Sequence, residues 1–104
     1  MKTTMTVAMP DGSVWGFPVA VIANHRAQRL AHEFGGDVER SLNEDTLPLF
    51  EDTANIEDWV KNHMVLSETG GNHSVLSEAT ITSNEEGWFD FQDGWANGEK
   101  NFLD

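Results

Sequence analysis

The chain has 104 residues, no cysteine, and 18 acidic side chains against 6 basic ones, for a formal net charge of −12. That length makes one domain, 1–104, with a core of modest stability, and the missing thiols exclude disulfides and thiolate metal sites. A field this negative disfavours nucleic acid and anionic membranes as direct partners and favours basic proteins, although the same charge also serves plain solubility.

No apolar run approaches the roughly 20 residues of a membrane span. The opening MKTTMTVAMPDG lacks the apolar region of a signal peptide, so a cytoplasmic location is expected. Four tryptophans and six phenylalanines point to a folded chain, not an acidic tail.

Residues 3–8, TTMTVA, are rich in β-branched types and read as a strand. Pro10, Asp11, Gly12 and Ser13 form a turn, since proline sets φ and glycine permits its positive values. Val14 to Phe17 then return as a second strand of a hairpin.

The stretch 18–36 organises the rest, because it alone combines a long helical period with clear stop signals. Pro18 suits a first turn and Gly35 with Gly36 suits a C-cap. Val19, Ile22, Ala23, Ala27, Leu30 and Phe34 share one stripe. Asn24, His25, Gln28 and His32 are expected on the opposite side. Arg26 falls at the stripe's edge. Either its stem packs while the guanidinium reaches water, or it pairs with a carboxylate from a later segment.

Asp37 is a natural N-cap for a second helix, with Val38 and Leu42 facing inward. A break is expected at 43–46, before Pro48, followed by an apolar knot of Leu47, Leu49 and Phe50. Asn55 is placed to cap a third helix whose buried face is Ile56, Trp59, Val60 and His63, with Glu57 and Lys61 paired outside. Residues 69–73 form a loop and 75–82 a strand. Residues 84–87 read as a turn and 88–91 as a short aromatic strand. Asp93-Gly94 and Asn97-Gly98 signal further turns, and the end, EKNFLD, reads as loosely held. The order β-β-α-α-α-β-β gives an α+β domain in which a small antiparallel sheet packs on two to three helices.

Chemistry is harder to find. His25, His32, His63 and His73 form no HExxH and no i,i+4 pair, and the acids do not follow a calcium loop. There is no nucleophile elbow and no phosphate loop. No metal, cofactor or catalytic residue is implied, and the expectation is a protein without enzymatic activity.

The acids themselves carry more information. Between residues 37 and 58 lie eight of them with Arg40 as the only base, including the adjacent pairs Glu44/Asp45, Glu51/Asp52 and Glu57/Asp58. On helical turns, pairs spaced by six or seven residues would make a line of negative charge that fits a groove built for phosphates. A second group containing Asp90 and Asp93 is threaded with Trp88, Phe89 and Phe91. Those aromatics either anchor a partner or fill the core.

The segments DGSVWGFPVAVIANHRA, FGGDVERSLNEDTLPLFED and IEDWVKNHM resemble a family of small uncharacterised phage and prophage proteins. The pattern DGxxWxxPxxxIAxxRA and the IEDW segment carry that resemblance, which covers about the first two thirds of the chain. It implies a small protein of a mobile element and brings no catalytic residues with it. In size, charge and the origin that this resemblance implies, the chain is also similar to anti-CRISPR proteins. The resulting expectation is an inhibitor acting as a DNA mimic. It would dock Glu44, Asp45, Glu51, Asp52, Glu57, Asp58, Asp90 and Asp93 on a basic host protein or ribonucleoprotein such as a CRISPR–Cas effector. The alternative is a structural or accessory protein of a mobile element, a homodimer joined through residues 88–95.

Overall fold

The computed structural model describes residues 2–80 and 89–104 and shows a mixed α+β architecture around one antiparallel sheet. The chain runs through β1 (Thr4–Ala8), β2 (Val14–Pro18) and α1 (Val19–Arg29), then a 3-10 turn (Ala31–Phe34) and α2 (Val38–Ser41). A π turn (Leu42–Thr46), α3 (Leu47–Leu49) and α4 (Thr53–Asn62) follow, then a 3-10 turn (Leu66–Thr69), β3 (Ser74–Ser77), α5 (Phe91–Asn97) and β4 (Lys100–Leu103). The four strands lie in the order β3-β2-β1-β4.

The hairpin forms as the turn chemistry dictates. Asp11 Oδ1 accepts the Ser13 N–H at 2.9 Å, and Gly12 takes φ 85°, where a side chain would be strained. The register pairs Met5 with Phe17 and Val7 with Trp15, so these four share the face that meets the helices. Against them pack Val19, Ile22 and Ala23 of α1, Ile56, Trp59 and Val60 of α4, and Trp95 of α5. Trp95 is fully buried, and its indole N–H donates to the Met64 carbonyl at 2.9 Å. This answers the requirement that a buried indole find an acceptor.

Several expectations need correction. The main helix stops at Arg29 and tightens into a 3-10 turn before Gly35, whose φ of 66° closes it. The chain does not break at 43–46. Pro48 has no N–H to give its i−4 carbonyl, and the Leu47 N–H reaches back five residues to Leu42 instead. The rod therefore passes through the proline as a π turn, with Pro48 in the first turn of α3, where its lost donor costs little.

Val38 is exposed, and Ser41 and Thr46 are buried in its place. Asp52, not Asn55, caps α4 by accepting the Ala54 N–H, while the Asn55 amide donates to the Leu49 carbonyl. His63 lies exposed beyond the end of α4, tilted against the Trp59 ring.

At the C-terminal end, β3 is a four-residue strand, and residues 78–80 are not in it. The expected turn at 84–87, with 81, 82 and Trp88, lies outside the described residues. Phe89 and Asp90 are not strand. Asp90 caps α5 through the Asp93 N–H, and Asp93-Gly94 lies inside that helix. The last residues are not loose, because β4 pairs with β1 along its whole length.

Candidate acidic interface and its internal ion pairs

The eight acids singled out above divide by what each carboxylate already does. On α2 and the π turn, Glu44 accepts from Arg40 Nε at 3.0 Å, an exposed i,i+4 pair. Asp45 is drawn inward. Arg26 Nη1 donates to Asp45 Oδ2 at 2.9 Å and to the Thr46 hydroxyl at 2.8 Å. The Arg26 side chain is 12% exposed, and its guanidinium lies 5.5 Å from the centre of the Trp59 ring. Of the two readings for Arg26, the ion pair with a later carboxylate is the one formed.

The remaining six stay at the surface. Glu51 is exposed between α3 and α4, and Asp52 serves as the cap of α4. Ile56, Trp59 and Val60 point to the core, which turns Asp58 to solvent, where it accepts from the Asn62 amide at 2.8 Å. Glu57 faces the seam between α4 and the α5–β4 connection. Asp90 and Asp93 are exposed at the start of α5, with Asp93 accepting from the Asn97 amide.

Of the nearby aromatics, Phe91 is committed to the fold, and Trp88 lies outside the described residues. Phe91 stacks on Trp15 with ring centres 5.0 Å apart, and Trp15 stacks in turn on His73 at 4.4 Å.

A second polar cluster forms around His25, which is expected opposite the apolar stripe but is drawn into side-chain contacts. His25 sits between α4 and the 3-10 turn at 66–69. Its Nδ1 accepts the Trp59 indole N–H at 2.9 Å, and its Nε2 lies 2.8 Å from Glu68 Oε2. An indole nitrogen can only donate. The imidazole proton is therefore on Nε2 and is given to Glu68.

Glu68 also accepts from the Val65 backbone N–H at 2.9 Å and from Arg29 at 3.2 Å. The Val65 N–H first, then His25 and Arg29, hold this carboxyl down at about 2 against the opposing effect of partial burial. A carboxylate and an imidazole in contact invite comparison with an acid–base dyad. Here the imidazole lone pair that would take a proton is already occupied by Trp59. The cluster fastens three elements together, and Val21, Asn24 and Gln28 line a groove of about 290 Å³ beside it.

No family model matches the chain, and neither a curated protein nor a solved structure is significantly similar to it. Among the described residues, no three metal-binding side chains gather and no helix is long and apolar enough to cross a membrane.

Proposed function

We propose that the protein is a phage-type inhibitor that binds a basic, nucleic-acid-binding surface of a host protein or ribonucleoprotein. A CRISPR–Cas effector is the leading example. One observation carries this reading: segment 37–58 bears eight acids and one base, and that base, Arg40, is neutralised by Glu44. Arg26 consumes Asp45, while Asp37, Glu39, Glu51, Asp52, Glu57 and Asp58 are all exposed.

The test is competition. The protein should displace DNA from purified effector complexes, with affinity falling steeply as ionic strength rises about tenfold and the Debye length shortens about threefold. Reversal of Glu51 and Asp58 to lysine should weaken binding more than reversal of Glu78. Displacement that ignores salt, or no displacement of DNA from any bound partner, would sink the proposal.

A second reading, a homo-oligomeric accessory protein, rests on the sheet edge. β3 is an edge strand carrying Val75 and Leu76 at 51% and 53% exposure, and such edges pair readily with a second chain. Light scattering decides it: a dimer lost on Leu76→Lys is expected, and a monomer at all concentrations removes it.

A further inference from the structure

Four of the six basic side chains are spent on acids: Lys2 on Asp104, Arg26 on Asp45, Arg29 on Glu68 and Arg40 on Glu44. Among the described residues, Lys61 and Lys100 alone form no ion pair within 4 Å, in a chain with threefold more acids than bases. Both line the same groove, a space of about 400 Å³ between α4 and the α5–β4 connection, together with Glu57, Asn97, Gly98 and Glu99. Its size lies within the range of small-molecule sites, about 300–1,000 Å³.

Lys100 is the unusual member. It stands on the core-facing side of β4 opposite the fully buried Val7, so its stem runs along apolar surface and its ammonium emerges into the groove. That ammonium donates to the Gly98 carbonyl at 3.0 Å, which leaves two of its three N–H bonds to be met in the groove. Burial holds Lys100 below the usual lysine range. Glu57 opposes that effect, and Lys61 adds to it. A half-buried cation beside a second cation is a poor arrangement when nothing is bound and a good one around a carboxylate.

Two carboxylates share the groove, so its four charges sum to zero. A simple anion would meet the repulsion of the whole molecule on its approach, whereas a ligand carrying both signs feels no net force. We propose that this groove binds a small zwitterion of the α-amino-acid type, its carboxylate on Lys61 and Lys100 and its ammonium on Glu57 and Glu99. The site shares only Glu57 with the acidic interface, and because that interface is tested by reversal of Glu51 and Asp58 and by displacement of DNA, either can fail without the other.

The test is a titration of the full chain, carrying ¹³C-labelled lysine, with glutamine as probe. Saturable shifts are expected at the Lys61 and Lys100 side chains, with Lys2 unmoved as internal reference. Acetate and methylammonium, each carrying half of the probe's charge pattern, should not reproduce them. Lys100→Met and Glu57→Gln should each weaken binding at least about tenfold, equivalent to 1.4 kcal/mol. If Lys100→Met does not fold, Lys61→Met with Glu57→Gln decides the question. Shifts that never saturate, shifts matched by acetate alone, or indifference to Glu57→Gln would overturn the proposal.

Discussion

Replacing Arg26 by methionine keeps much of the packed stem and removes the charge. The structure gives three losses. The hydrogen-bonded ion pair with Asp45 is worth about 1.5 kcal/mol, the low end for charged partners because that carboxylate is 36% exposed. The Thr46 hydroxyl, on a residue with no exposed surface, loses its donor, at about 1 kcal/mol. The stacking of the guanidinium on Trp59 adds about 0.5 kcal/mol. The total is about 3 kcal/mol, and at about 4 °C per kcal/mol for a chain of this size the melting temperature should fall by about 12 °C.

Urea denaturation of Arg26→Met, Asp45→Asn and the double variant closes a cycle. The double variant should be less destabilised than the two singles added together, because they share one interaction. A loss below about 1 kcal/mol for Arg26→Met, or strict additivity in the cycle, would refute the reasoning that this cation is structural.

The Glu68 carboxyl is held down at about 2 in the fold against an ordinary 4.5, so its contribution is complete above pH 4.5 and is lost as pH falls toward 2. Glu68→Gln should flatten acid unfolding in that window by about 1–2 kcal/mol, a figure reduced for solvent screening; an unchanged slope removes the cluster's role. Gly98→Ala should destabilise by about 2 kcal/mol or more, since a Cβ there would lie 2.3 Å from the Ala8 carbonyl oxygen and 2.5 Å from that of Gly94, and neither backbone group can step aside. A neutral result in thermal melts would show that the connection gives way. Ser41 has no exposed surface, and its hydroxyl has no partner among the described residues, so Ser41→Ala should stabilise by about 1 kcal/mol; a loss in the same melts would mean that the hydroxyl is satisfied in solution.

What was legible from sequence was what is local. The first hairpin is written in Pro10 to Ser13 and in residues whose partners lie 6 to 14 positions away. The helix stop is written in Gly35. The final strand was illegible because Phe102 is its one apolar residue facing the core, and its partner Met5 lies 97 positions away. Helix α5 was hidden by Gly94, which looks like a turn residue. Its real constraint is space, since a Cβ would sit 2.7 Å from the Met9 sulfur. The helical period put His25 on a polar side, and the Trp59 indole that claims it comes from 34 residues downstream. In the acidic segment the positions of the carboxylates could be read, but not which of them an arginine would claim. Asp45 and Asp58 look alike in the sequence and differ only because a π turn carries one of them to Arg26.

The pairing of β1 with β4 sets an order of events. β1 sits inside the sheet, and its second neighbour is synthesised long after it, with contacts spanning 93 to 100 positions. Until residues 100–103 leave the exit tunnel, one side of the nascent β1 is bare backbone. Contacts of such high order are slow to close, so the sheet is completed late, and deletion of only these four residues would reopen a flank that β4 keeps sealed.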